Sequence, residues 1–291
     1  MDDQGTDDRG TDDQGAGVAF VTGASRGIGR AIAVALAEAG FDVAMTARTV
    51  REGEAREHSS TVAKSDTSPL PGSLESTVTQ VEATGRRALA IPADLLDFAS
   101  IGAAVATVLE RFGRIDVLVN NGRYVGPGHM DHFLDTPIEL IERHLAANLI
   151  APLHILKLAL PGMLARGTGT VVTITSGAGT SDPPAAAGAG GWGLGYAVSK
   201  GAVQRVLGVV AAEHPDTALR FFNVQPGAVA TERIKADMGE FGFGGPGWAP
   251  PELIGAVVAW LATAEEAADL PIQVEAQPLA AERGLFRSGG G

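Results

Sequence analysis

Val18-Ala19-Phe20-Val21-Thr22-Gly23-Ala24-Ser25-Arg26-Gly27-Ile28-Gly29 is the stretch that decides how this chain folds. The apolar run 18–21 predicts a short buried strand, and the Ala-rich run 29–39, stopped by Gly40, predicts a helix. The glycines between them answer different needs: a tight turn, close approach of backbone to a phosphate, and close helix–strand packing. A helix that begins there offers unpaired N–H groups and a partial positive charge to a diphosphate. Glycine is common here, at 39 of 291 residues, so the pattern gains its meaning from its place between a first strand and a first helix. The plain alternative is a structural turn with no ligand.

Outward from this turn, apolar strands alternate with helical patterns. Strands are expected at 41–47, 88–92, 115–119, 170–175, 219–224 and 272–276. Helices are expected at 74–83, 98–112, 197–213 and 251–262, with a long helical stretch after Pro137 that Pro152 and Pro161 must interrupt or kink. Strands apolar on both faces and separated by helices predict an α/β, Rossmann-like doubly wound parallel sheet of about seven strands, with helices on both faces. No second core or linker divides residues 17–291. Residues 1–16 repeat an Asp-Asp-Gln/Arg-Gly unit with no apolar residue beyond the first Met and last Ala, and are expected to be a disordered acidic tail.

Composition sets the outer bounds. The formal net charge of −12 argues against nucleic acid or an anionic membrane as a partner, and no uninterrupted apolar run nears the roughly 20 residues of a bilayer span. The polar N-terminus does not resemble a secretory signal. There is no cysteine, which excludes disulfides, thiolate catalysis and Cys-bound zinc and agrees with a cytoplasmic setting. His129, Asp131 and His132 cluster in sequence without metal-site spacing, so no metal is assigned.

Taken in order, these motifs resemble the short-chain dehydrogenase/reductase family. The family's Thr-Gly-x-x-x-Gly-x-Gly pattern matches Thr22, Gly23, Gly27 and Gly29. Asp94-Leu95 falls where the family binds adenine. Asn120-Asn121-Gly122 ends a strand where the family usually reads Asn-Asn-Ala-Gly, and Arg123 follows, so that wall is expected to differ. Asn148, Ser176, Tyr196 and Lys200 match the catalytic tetrad. Pro226-Gly227, with Val229 and Thr231, matches the segment holding the nicotinamide amide. The resemblance therefore implies cofactor contacts from Gly23, Ser25, Arg26, Gly27, Ile28, Gly29, Arg48, Asp94, Leu95, Asn121, Gly122, Tyr196, Lys200, Pro226, Gly227, Val229 and Thr231. It also implies a homodimer or homotetramer built on the helices carrying Asn148 and Tyr196. The usual Asp-Gly-Gly ending is replaced by Gln277-Pro278-Leu279 and a charged segment at 282–284, which puts the tetramer in question.

The second strand ends Met45-Thr46-Ala47-Arg48, with no carboxylate to meet a ribose 2′-hydroxyl. Arg48 and Arg26 are placed to fork a 2′-phosphate, so NADP(H) is the expected cofactor and NAD(H) the alternative.

Tyr196 and Lys200, at i and i+4, share one helix face. A phenol titrates near pH ~10 in water, so acid–base work near neutrality needs a neighbouring cation. Ser176, at a strand end, is expected to orient a substrate oxygen; Asn148, by the resemblance, links Lys200 to solvent. The expected reaction is hydride transfer between nicotinamide and a ketone or secondary alcohol. The rivals are NAD-dependent alcohol oxidation on the same residues and a dinucleotide-binding scaffold or sensor without turnover. Segments 177–195 and 232–251, rich in Gly and carrying Trp192, Phe241, Phe243 and Trp248, are expected to cover the substrate, with Ser176, Trp192 and Trp248 touching it. The polar stretch 49–72 has no assigned role.

Overall fold

The computed structural model describes residues 16–286; the tail expected over 1–16 lies, up to residue 15, outside them. Seven parallel strands form one sheet: β1 (Val18–Thr22), β2 (Asp42–Ala47), β3 (Ala88–Pro92), β4 (Val117–Asn120), β5 (Thr168–Ile174), β6 (Ala218–Gln225) and β7 (Gln273–Glu275). Their order is β3-β2-β1-β4-β5-β6-β7. The order reverses between β1 and β4, and a ligand crevice is expected beyond the carboxyl ends of those strands. Strands β1, β2 and β4 are buried along their whole length, the pattern of a sheet covered on both faces.

One face carries α1 (Gly27–Glu38), α2 (Leu74–Glu82) and α7 (Pro251–Thr263); the other carries α3 (Phe98–Phe112), α5 (Ala151–Arg166) and α6 (Leu194–Glu213). Gly255 lets α7 lie directly on α1: a Cβ there would fall 2.6 Å from the Ala31 carbonyl oxygen.

The stretch after Pro137 differs from a simply broken helix. It runs as α4 (Ile138–Leu145), a π-helical turn Ala146–Ile150, and α5. Pro152 lies just after that π turn, inside the continuous helix, and has no N–H to give the preceding turn. The combined helix Ile138–Arg166 is long and apolar enough to cross a bilayer by length and composition, yet Ile155, Leu156, Ala159 and Met163 are buried in the core.

The C-terminal segment expected to be merely charged is a helix, α8 (Ala276–Arg283), directly after β7. Helix α6 starts three residues before the expected position 197 and so takes Tyr196 into its first turn.

His144 joins α4 to α6 beneath that turn. Its ring is fully buried, 4.7 Å from Tyr124 edge-on. It packs so closely on Gly195 that a Cβ there would be 2.8 Å from Cδ2. Burial first, then the Arg123 charge, push its pKa from 6.5 down to about 4. The native ring is therefore neutral while the unfolded ring gains a proton below pH 6.5, so stability is lost as pH falls from 6.5 toward 4. Between pH 7 and 4.5 this one group is expected to cost about 2 kcal/mol. Urea titrations at both pH values should show His144→Leu losing less stability than wild type by about that amount; equal losses contradict a neutral, buried ring.

Candidate active site

The cleft lies where the sheet order reverses, between the ends of β1, β2, β4 and β5, with a free volume of about 270 Å³. Its floor is the turn from Gly23 to Gly29. Gly23 and Gly27 hold φ of 68° and 54°, conformations that glycine adopts at no steric cost. A Cβ on Gly29 would sit 2.2 Å from the Gly23 carbonyl oxygen and 2.5 Å from Asn121 Nδ2, so no other residue fits. Arg26 precedes α1 without giving it a side-chain cap, which leaves the N–H groups of the first turn to a ligand. The bare turn, the uncapped helix start and the cleft above them fit a dinucleotide diphosphate.

The opposing strand end is tied to this turn. Thr22 Oγ1 accepts from the N–H groups of Asn121 and Gly122, both at 3.0 Å. Asn121 Nδ2 returns bonds to the carbonyls of Thr22 (2.9 Å) and Gly23 (3.1 Å).

The structure gathers on the cleft wall Gly23, Ser25, Arg26, Gly27, Ile28, Gly29, Arg48, Asp94, Leu95, Asn121, Gly122, Tyr196, Lys200, Pro226 and Thr231. It does not bring Asn148, Ser176, Gly227, Val229, Trp192 or Trp248 to that wall. Val229 is buried and belongs to the core. Gly227 is exposed and lies beside Gln277, whose amide donates to the carbonyls of Pro226 (2.9 Å) and Ala228 (3.1 Å). Helix α8 thus clamps the Pro226-Gly227 segment, a function that no single residue of the altered C-terminus signals. Ser176 turns its hydroxyl back to cap a short 3-10 turn, accepting from Ala178 N–H at 3.2 Å, and Ile174 and Thr175 face the cleft instead.

Lys200 is buried at the base of the site and donates to the Ile174 carbonyl at 2.8 Å. Burial, with the Arg123 charge second, brings its pKa from 10.5 to about 7, so ammonium and amine coexist near neutrality. Asn148, buried in the π turn, accepts from Tyr124 N–H at 2.6 Å and donates to Ser199 Oγ at 2.9 Å. Ser199 in turn donates to the Tyr196 carbonyl at 2.9 Å. Asn148 is therefore a strut between the loop after β4 and the first turn of α6, and a π turn is a common way to aim one helical side chain at a site. The Tyr196 ring is half-buried; His129 lies 4.5 Å from it and the Arg123 guanidinium 5.7 Å.

The polar stretch 49–72 proves to be a strap across the cleft mouth. Arg26 donates to the carbonyls of Leu70 (3.2 Å), Pro71 (2.9 Å) and Gly72 (2.7 Å). That guanidinium is committed to the strap, which departs from the expected fork with Arg48. Farther along, Val62 N–H meets the Asp131 carboxylate at 3.0 and 3.1 Å, and Arg233 donates to the His58 carbonyl (2.9 Å) and Ser60 Oγ (2.8 Å). Asp131 also accepts from Gly128 N–H at 2.8 Å, so it organises loops, while His132 is exposed. Among the described residues no cluster of three or more His, Cys, Asp or Glu is placed to hold a metal ion.

The strap adds Glu54 and Arg56 to the cleft wall. Arg56 lies against the Arg48 carbonyl (3.1 Å) and Glu54 (2.8 Å). Its only trace in sequence is a basic residue eight positions after Arg48. Segments 177–195 and 232–251 meet each other through Gly190 N–H and the Phe241 carbonyl at 3.0 Å.

The profile described as "short chain dehydrogenase" matches residues 17–69 and 67–238. The chain is similar to L-rhamnose 1-dehydrogenase (NAD(P)(+)) of a Sphingomonas species, 30% identical over 221 residues, which cover 76% of this chain and 75% of that protein. It is similar to a metagenomic short-chain oxidoreductase solved with NADP, with 29% identity and a TM-score of 0.67 over 89% of this chain and 96% of that one. A short chain dehydrogenase from Mycobacterium paratuberculosis bound to NAD is 26% identical, with a TM-score of 0.70 over 89% and 95% of the two chains. The chain belongs to the short-chain dehydrogenase/reductase family and is an NAD(P)-dependent oxidoreductase acting on alcohols and carbonyls.

Proposed function

We propose that this protein interconverts a ketone and a secondary alcohol using NADP(H), with Tyr196 as the acid–base group. The observation that carries this is the meeting of Tyr196 and Lys200 on the wall of the same cleft whose floor is the bare glycine turn. When bound, the dinucleotide supplies or accepts the hydride. Tyr196 gives its phenolic proton to the carbonyl oxygen during reduction and takes it back during oxidation. Lys200, fixed by the Ile174 carbonyl, lines the same wall and exchanges protons near neutrality. Asn148 and Ser199 fix the helix turn from which the phenol projects, so the proton donor meets the substrate in one orientation. Strap 49–72 and segments 177–195 and 232–251 are read as the cover that shields this chemistry from water. Ser176, Trp192 and Trp248 come into contact with substrate, on this reading, only as that cover adjusts around it.

Relatives bind either NADP or NAD, so the preference rests on this chain's own residues. Arg48 and Arg56 both line the cleft beyond β2, and Arg48 is held only weakly, at 3.4 Å from the Val125 carbonyl. The nearby acid, Glu54, accepts from Arg51 N–H (3.0 Å) and Arg56 (2.8 Å) and is poorly placed for a ribose 2′-hydroxyl. A 2′-phosphate between the two guanidiniums satisfies this arrangement.

Tyr196→Phe is expected to reduce kcat with NADPH at least about 100-fold, the scale of one lost general acid, while the Kd for NADPH rises by no more than about tenfold, the scale of one lost hydrogen bond. Stopped-flow absorbance of NADPH oxidation over a panel of ketones measures the first and fluorescence titration the second; wild-type turnover in the variant removes Tyr196 from the chemistry. Arg48→Asp is expected to weaken NADPH by about tenfold or more relative to NADH, the scale of a charge-assisted hydrogen bond. Equal effects on the two cofactors take Arg48 out of the phosphate site.

A further inference from the structure

The motifs leave His129 without a role, yet it stands against the proton donor. The first turn of α6 is fixed at its backbone by Asn148 and Ser199, but the direction of the Tyr196 ring depends on what lies beside it. The His129 and Tyr196 rings are 4.5 Å apart at their centres and inclined by 53°. Tyr196 lines the cleft, whereas His129 is buried and lies off that wall, so it meets the phenol from the protein side.

We propose that His129 is a positioning residue for the reaction: its ring backs the Tyr196 phenol and keeps it at one angle to the cleft, and strap 49–72 fixes His129 through Met130 and Asp131. This rests on the acid–base reading of Tyr196 above and deepens it.

The loop carrying His129 is tied on both sides. The His129 carbonyl accepts from the N–H of Gly193 at 2.8 Å, the residue that opens α6. A Cβ at Gly193 would fall 2.9, 3.0 and 3.1 Å from the carbonyl oxygens of Gly128, His129 and Asp131, so the loop lies on the helix start with no side chain between them. One residue on, Met130 N–H donates to the Ser60 carbonyl at 2.9 Å. The Asp131 carboxylate then accepts from Val62 N–H at 3.0 and 3.1 Å and closes back on Gly128 N–H at 2.8 Å. The strap thereby reaches the phenol by a short path, from Ser60 and Val62 through Met130 and Asp131 to His129. The His129 ring also lies 6.2 Å from His144, which packs on Tyr124 and Gly195, so the phenol is backed by a buried cluster of rings.

The state of the ring agrees with this role. His129 Nδ1 is buried without a hydrogen-bond partner among the described residues, so its contact with the phenol is one of packed rings. Burial first, then the charges of Arg123, Arg233, His144 and Lys200, hold its pKa well below the ordinary histidine range. The ring stays uncharged beside the proton donor. A fixed aromatic neighbour restricts a half-buried tyrosine to one staggered rotamer, and a misplacement of about 1 Å at a reacting group costs up to about 100-fold in rate.

The test compares wild type, His129→Ala, His129→Phe and His129→Asn by NADPH oxidation with the best ketone of a panel. His129→Ala should lower kcat about tenfold or more, while KM and the Kd for NADPH move by less than about threefold. His129→Phe, which keeps a ring, should restore most of kcat; His129→Asn, which keeps only a polar group, should not. In a Tyr196→Phe background His129→Ala should change the residual turnover by less than about twofold, because a residue that acts through the phenol has nothing left to position. A kcat untouched by His129→Ala, a full further loss in the Tyr196→Phe background, or recovery with Asn and not with Phe overturns the inference. A second measurement is independent of turnover. The chain has two tyrosines, so in protein carrying isotope-labelled tyrosine the vicinal NMR couplings that report χ1 of Tyr196 are assigned by comparison with Tyr196→Phe. One staggered rotamer is expected in wild type and His129→Phe, and an average of rotamers in His129→Ala and, to a smaller extent, in Asp131→Ala. That pattern supports His129 even if the protein reduces no ketone, in which case the reaction assignment alone falls. One rotamer in His129→Ala overturns the inference, and one rotamer in Asp131→Ala overturns the strap's part in it.

Discussion

At Gly29 the backbone of the first helical turn passes so close to the Gly23 carbonyl and the Asn121 amide that there is no room for a single methyl group. This contact joins the end of β1, the start of α1 and the end of β4 at one point, and the reciprocal bonds of Thr22 and Asn121 hold it. The cleft exists because these chain segments approach each other without side chains between them. From there the sheet order carries β5 and the start of α6 to the same edge, and Lys200 reaches the Ile174 carbonyl.

The parts of the fold legible in sequence were those set by local pattern. Apolar strands buried on both faces, a glycine turn between strand and helix, and the i, i+4 spacing of Tyr196 and Lys200 are all short-range signals. The sheet follows from them. What stayed hidden depends on partners far away in the chain. Stretch 49–72 looks like an oversized polar loop until Val62 is seen on Asp131 and Ser60 against Arg233 and Met238. Arg26, read as a phosphate ligand from its place in the turn, is instead committed to the Leu70–Gly72 carbonyls by that strap. The clamp of Gln277 on the Pro226-Gly227 segment was equally invisible, because α8 replaces the family's usual ending with a helix of low apolar content. Ser176 and Asn148 were named from the resemblance without their geometry: which way each side chain turns is decided by a 3-10 turn in one case and a π turn in the other.

Electrostatically the site is arranged around buried groups that are held near or below neutrality. His129 and His144 are neutral because burial and the Arg123 charge oppose their protonation, and Lys200 sits near its own titration point. The half-buried Tyr196 phenol shares the cleft wall with Lys200 and Arg123. Folding therefore accepts the cost of burying Lys200 and two histidines close to the cleft.

The central claim is that phenol, ammonium and glycine turn serve one bound dinucleotide. A crystal structure of the protein with NADPH tests it most directly. The account predicts the diphosphate on the Gly23–Gly29 turn, and the nicotinamide ribose within about 3 Å of both Tyr196 Oη and Lys200 Nζ, the usual hydrogen-bond range. A diphosphate seated away from that turn, or a nicotinamide ring that meets neither side chain, contradicts it.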